Sequence, residues 1–74
     1  MPMSKLDPFT VRRLWKFIED FRQRQGQLPT LRDLETGGFD REVVELATRE
    51  KVVDSLYVTL TNGAIVKGFK ARHD

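Results

Sequence analysis

The side chains that could do chemistry in this chain are cationic and hydroxylic rather than nucleophilic. Arg41, Thr48, Arg49 and Lys51 fall in one stretch, and Lys67, Lys70 and Arg72 in another. Arginine can hold guanine O6 and N7 from the major groove of a duplex, while threonine and lysine suit phosphate oxygens. These seven residues are the candidate DNA contacts. Each also has a structural reading. Arg41 with Glu45, and Glu45 with Arg49, are i,i+4 pairs of the kind that lace a solvated helix face. Lysines along an edge strand discourage self-pairing. A smaller cluster, Arg12, Arg13 and Lys16, is explained most simply by solvation.

Covalent and acid–base catalysis have little to work with. The single histidine is His73, and there is no cysteine, so thiolate nucleophiles, disulfides and thiolate metal sites are all excluded. Asp33 and Glu35, at a spacing of two, do not share a helix face and make poor paired carboxylates. Gly37-Gly38 is too short to cradle a phosphate, and no Walker or dinucleotide-binding pattern occurs. The expectation is a binding module: not an enzyme, with no metal, cofactor or small-molecule substrate.

Seventy-four residues suffice for one domain, near the lower limit for a self-sufficient core. Thirteen Lys and Arg stand against eleven Asp and Glu, a net charge of +2. Bulk charge therefore does not announce nucleic acid, and local distribution has to. No apolar run approaches the ~20 residues of a membrane helix. Met1 to Pro8 lacks the apolar segment of a secretory leader. A soluble cytoplasmic protein without a membrane partner is expected.

The elements that must position the candidate residues can be read from pattern. The clearest is Leu56 to Lys70, two runs of β-formers around Asn62-Gly63. A two-residue type I′ turn there would put Thr61 opposite Ala64, Leu60 opposite Ile65, Val58 opposite Lys67 and Leu56 opposite Phe69. One face would then carry Leu56, Val58, Leu60, Ile65 and Phe69. The other would carry Tyr57, Thr59, Thr61, Ala64 and Val66. A lone hairpin is marginal in water, so its apolar face needs a cover.

The preceding residues supply that cover as helices. Asp7-Pro8 opens the first, with Thr10 as a competing cap, and Val11, Leu14, Trp15, Ile18 and Phe21 give it an apolar stripe up to Gln25. Gly26 is the expected left-handed stop. Thr30 and Asp33 resemble a capping box for a short second helix, about Leu31 to Glu35. Phe39 anchors the turn after Gly37-Gly38. Asp40 caps a third helix running to about Lys51, with Val43, Leu46 and Ala47 inward. Val52 to Ser55 could extend that helix or open the first strand. Residues 1–8 are expected to form a flexible arm, residues 9–70 the domain, and residues 71–74 a fraying tail. The fold class is α+β: three short helices followed by an antiparallel hairpin.

A helix, then Gln27-Leu-Pro-Thr-Leu-Arg-Asp-Leu34, a Gly-rich turn with Phe39, a third helix and a hairpin: this order over Phe9 to Lys70 resembles winged helix-turn-helix domains, and among them the DNA-binding domain of LexA-type repressors. The resemblance implies that Thr30 to Lys51 is the helix-turn-helix, Asp40 to Lys51 the recognition helix and Thr61 to Ala64 the wing tip. It implies a double-stranded DNA partner, a role as transcriptional regulator or phage or plasmid accessory factor, and a homodimer or larger complex at a specific site. The wing tip, Thr61 to Ala64, carries no Arg or Lys to enter a minor groove, and the sequence departs from the family in three further ways. Lys51 stands where many members have Gly, the stretch from Phe39 to the hairpin is short, and the third helix carries four acids (Asp40, Glu42, Glu45, Glu50) against Arg41, Arg49 and Lys51. That acidity keeps a second reading open, a winged-helix-like protein-interaction adaptor using Tyr57, Glu45 and Thr59. Val58-x-Leu60-x-Asn62-Gly63-x-x-Val66-x-Gly68 also resembles the opening of an Sm-type motif, which would need further strands.

Overall fold

The computed structural model describes residues 6–72; residues 1–5, most of the expected arm, and His73 lie outside the described residues. Three helices precede two strands: α1 (Pro8–Gln25), α2 (Leu31–Thr36), α3 (Arg41–Arg49), β1 (Val53–Thr59) and β2 (Ile65–Ala71). The α+β class expected from the pattern is what the chain adopts.

Each helix begins and ends for a local reason. The Asp7 carboxylate accepts from the backbone N–H and the hydroxyl of Thr10, and Pro8 occupies the first turn, where its missing N–H had no partner. Leu6 already packs against the core, so the ordered chain starts before residue 9. At Gly26 (φ +75°) the N–H returns to the Arg22 carbonyl at 2.8 Å, the single-bond left-handed stop. Thr30 and Asp33 form a reciprocal capping box: Asp33 N–H to Thr30 Oγ1 at 3.3 Å, Thr30 N–H to Asp33 Oδ2 at 3.0 Å. α2 closes as a Schellman motif, Phe39 N–H to Leu34 O and Gly38 N–H to Glu35 O, with Gly38 left-handed at φ +101°. Leu34 and Phe39, the apolar pair that accompanies this motif, are both buried.

Asp40 departs from expectation. It sits at the N-cap position of α3 with extended backbone, but its side chain makes no capping hydrogen bond. α3 is also shorter than expected and ends in a second Schellman motif: Val52 N–H to Ala47 O at 2.9 Å, Lys51 N–H to Thr48 O at 3.1 Å. Lys51 takes the left-handed position at φ +64°, which is normally a glycine's because of the Cβ clash. The exit settles the reading of Val52 and Val53: Val53 opens β1 and is buried.

The core consists of Leu14 and Ile18 from α1, Leu34 from α2, Phe39, Val44 and Ala47 from α3, and Val53, Phe69 and Ala71 from the strands. Removing each large aliphatic side chain from water is worth about 1.5–3 kcal/mol. Val44, not Val43 or Leu46, lies with Ala47 at the centre of the buried face of α3; Val43 and Leu46 are half-buried. Phe17 meets Phe39 edge-on at 5.6 Å between centroids and stacks near Phe21 at 6.1 Å. Gly37 lies directly beneath this cluster: a Cβ there would collide with the Phe17 ring and push it from its place beside Phe39.

The hairpin corrects two expectations. Its register pairs Thr59 with Ile65, Val58 with Val66, Tyr57 with Lys67, Leu56 with Gly68, Ser55 with Phe69 and Val53 with Ala71. That is one residue from the register a two-residue turn would give. The loop is instead a type I-like turn with Gly63 N–H bonded to Leu60 O at 2.9 Å and Leu60 N–H to Ala64 O at 2.8 Å. Only Gly63 is left-handed (φ +88°), whereas a type I′ turn would force Asn62 there as well. Asn62 Oδ1 instead accepts from Ala64 N–H at 2.9 Å, holding the three-residue loop. A slip of one residue regroups the faces. Val53, Ser55, Tyr57 and Thr59 now share a face with Ile65, Lys67, Phe69 and Ala71. Leu56, Val58 and Leu60 share the other with Val66, Gly68 and Lys70. Leu56 is therefore 43% exposed rather than core.

The outer edge of β2 meets the connector before α2. Thr30 bridges antiparallel to Gly68, and Phe69 N–H donates to Pro29 O at 2.9 Å. Gly68 packs closely there: an added Cβ would lie 3.2 Å from Leu28 Cβ and 3.4 Å from the Val58 methyls, so a side chain would have to push them back. The frayed tail does not begin at Ala71, which is buried in β2, and Arg72 N–H bonds Val52 O at 3.0 Å. The named sheet has two strands, short of the further strands of an Sm-type fold.

Two outcomes follow. Lys51→Gly removes the left-handed penalty and raises unfolding free energy by about 1 kcal/mol, read as a higher urea midpoint at unchanged slope; a lower midpoint contradicts the capping analysis. The Thr10 hydroxyl, then its backbone N–H, holds the Asp7 carboxyl below its ordinary value. A lowered folded pKa gives stability that is present above the unfolded pKa and is lost as pH falls through the folded one. Amide exchange in the first turn of α1 should accelerate over that acid window, and this dependence should vanish in Asp7→Asn.

Candidate nucleic-acid interface

α3 and the hairpin diverge from the core and leave a groove of about 490 Å³ between them. Leu31, Val44 and Phe69 form its floor. Arg41, Glu45, Thr48 and Arg49 line the α3 side, and Ser55 and Lys67 the hairpin side. Helical periodicity explains the first wall, because positions 41, 45, 48 and 49 fall on one side of α3. The observed register explains the second: Ser55 lies opposite Phe69 and Lys67 opposite Tyr57, so Lys67 shares a face with the buried Phe69 and overlooks the same floor.

The charges lining the groove are Arg41, Arg49 and Lys67 against Glu45. Arg41 Nε lies 3.3 Å from Glu45 Oε2, and both side chains are largely solvated, so the pair is worth little to stability. Among the described residues, Arg49 and Lys67 make no ion pair. The expected Glu45–Arg49 pair is not formed; Glu45 turns to Arg41. Asp40, Glu42 and Glu50 do not line the groove. The acidity of α3 read from sequence is therefore sorted by the helix, with one acid on the groove side and the others elsewhere.

The other candidate cations are dispersed. Lys70 lies on the opposite hairpin face from Lys67, opposite Asp54. Arg72 is half-buried, with Nη1 3.5 Å from Asp54 Oδ1 and its N–H committed to Val52. Lys51 is exposed at the end of α3, serving as the left-handed stop. Thr48 lines the groove, but its hydroxyl donates to Val44 O at 3.0 Å, leaving only acceptor capacity for a ligand. On α1, Arg13 lies over the Phe39 ring at 5.4 Å and Lys16 pairs with Asp20 at 3.4 Å. Two members of that small cluster thus have structural partners.

Tyr57 and Thr59 are exposed on the groove-side face of the hairpin, with Tyr57 at 78% and the neighbouring Ile65 at 70% exposure. Val66, expected beside them, lies on the other face. The Trp15 ring packs against the core and its Nε1 donates to Val52 O at 2.8 Å, a structural role. Sequence reasoning missed Ser55, Val44 and Phe69 as groove residues. Only the correct turn type would have placed Ser55 beside Lys67, and the spacing of Val44 from Ala47 was the available signal for the floor. No cluster of His, Cys, Asp or Glu among the described residues could hold a metal ion. No helix among them is long and apolar enough to cross a membrane.

No family model, curated protein or solved structure matches the chain.

Glu45→Gln should change unfolding free energy by less than about 0.5 kcal/mol, measured by urea titration. A larger loss would mean that the exposed pair is a structural element of the groove.

Proposed function

We propose that the chain is a small winged-helix-like DNA-binding protein, acting as a transcriptional regulator or as a phage or plasmid accessory factor. The observation that carries this reading is the gathering of Arg41, Arg49 and Lys67, from two separate elements, along one open groove with a single acid. A backbone strand of duplex DNA is a line of phosphates that such a groove can follow, with α3 directed toward the adjacent major groove. The element order, three helices and then a hairpin, supports the same reading, since it is the order on which the resemblance rests. Lys51 at φ +64° also fits, since it adopts the conformation for which glycine is suited at the place where many members of the resembling family have one.

Affinity comes from the phosphates that are neutralised. Arg41 is offset by Glu45, so Arg49 and Lys67, at about −0.9 of salt slope per phosphate, give a log–log slope of about −2 for one copy. Titration of a labelled duplex at two low salt concentrations should show binding with about that slope. The double variant Arg49→Glu, Lys67→Glu should abolish it, while Lys70→Glu should weaken it far less. Absence of binding at low salt, or equal loss in Lys70→Glu, rejects the groove as a DNA site.

The exposure of Tyr57 beside Thr59 and Ile65 favours one other reading, a protein-interaction adaptor in which Tyr57, Thr59 and Glu45 form the contact. Under that reading duplex binding is absent and Tyr57→Ala abolishes partner binding.

A further inference from the structure

The two edges of the hairpin are treated differently. The hydrogen bonds Leu60 N–H to Ala64 O and Arg72 N–H to Val52 O, with the register in between, fix the alternation of the antiparallel ladder. Asp54, Leu56 and Val58 exchange bonds with β2. Ser55, Tyr57 and Thr59 direct their N–H and C=O groups away from it. The corresponding outward groups of β2 are those of Ile65, Lys67 and Phe69, and Phe69 is taken by Pro29. The lysines that guard an edge, Lys67 and Lys70, are also on β2. β1 has neither protection: no backbone partner lies on its outer side among the described residues, and Ser55 to Thr59 contains no charge and no proline. A strand of this kind is a template for another strand.

We propose that β1 pairs antiparallel with β1 of a second copy of this chain, about a two-fold axis at Tyr57, to give a continuous four-stranded sheet. The outward groups select the register. A two-fold through an outward-directed residue lets the two copies of that residue exchange both hydrogen bonds, and Tyr57 is the outward residue with strand on both sides. Tyr57 then faces the partner's Tyr57 on one face of the sheet. Ser55 faces the partner's Thr59, and on the other face Leu56 faces the partner's Val58. The Leu56 surface left open by the hairpin register, 43% exposed, and the Tyr57 ring, 78% exposed, are thereby both brought against apolar or aromatic neighbours, the pairs that stabilise sheets. With no charge from Ser55 to Thr59, no like charges meet across the axis. The contact is small, so a dimer forming at high micromolar to millimolar chain is expected. The pairing does not depend on DNA binding.

Sedimentation velocity of the chain alone, over a concentration series reaching the millimolar range, should show a monomer–dimer equilibrium. Hydrogen exchange of the same chain should slow at the Ser55, Tyr57 and Thr59 amides as concentration rises. Tyr57→Pro removes an outward N–H that β2 does not use and should weaken dimerisation by at least about tenfold, roughly 1.4 kcal/mol. Tyr57→Lys should do the same by setting like charges across the axis. A chain that stays monomeric throughout overturns the proposal. So does a dimer whose three amides exchange independently of concentration. Should Tyr57→Pro fail to fold, the exchange measurement on the unaltered chain decides.

Discussion

The carbonyl oxygen of Val52 is where the helical part of the molecule is tied to the hairpin. It accepts from Trp15 Nε1 at 2.8 Å and from the Arg72 N–H at 3.0 Å. One bond fixes the exit of α3 to α1, and the other fixes it to the end of β2. A half-buried carbonyl with two good donors is costly to leave unpaired, so the chain between Ala47 and Val53 has little freedom. Lys51 is held left-handed within this tie, which explains why an unfavourable residue is tolerated there: its own N–H donates to Thr48 O and that of Val52 to Ala47 O, and the Val52 carbonyl accepts both of the tying hydrogen bonds. The direction of β1, and so the opening between hairpin and α3, follows from this point.

Much of the fold was legible because it is written in short-range chemistry. Thr30 with Asp33, Asp7 with Pro8, and glycines at 26 and 38 act over three or four residues and do not depend on what lies elsewhere in the chain. The hairpin register could not be read in the same way. Asn62-Gly63 is compatible with a two-residue turn and with a three-residue loop, and local preference for the first is modest. The choice falls to distant groups. Val53, Phe69 and Ala71 must lie on one face to join the core that the helices supply, and Gly68 must turn toward Leu28. A slip of one residue satisfies all of these at the expense of Leu56 and Ile65, which stay exposed.

The candidate site was half legible for the same reason. Arg41, Thr48 and Arg49 could be placed on one side of α3 from helical periodicity. Which hairpin lysine joins them depends on the register, since Lys67 and Lys70 lie on opposite faces. Periodicity also resolves the apparent conflict of an acidic helix beside a candidate binding groove. Net charge along a helix is a sum over all its sides, while a ligand meets only one of them. Here the sum is negative over residues 40–51, yet the groove itself is lined by three cations and one acid, already neutralised by Arg41.

The register that completes the groove also leaves β1 as the open edge. Pairing Ser55 with Phe69 brings Lys67 over the floor beside α3, and it turns the outer groups of β2 toward Pro29 and Thr30, where they are partly satisfied. The strand that gains protection is therefore the one that already carries the lysines. The strand left unprotected is uncharged from Ser55 to Thr59. A chain selected only to remain monomeric would place its charges the other way round, because guarding an edge that is already covered adds nothing. Lys67 is better accounted for by the groove it overlooks than by its edge, and the missing guard on β1 by the pairing proposed for it.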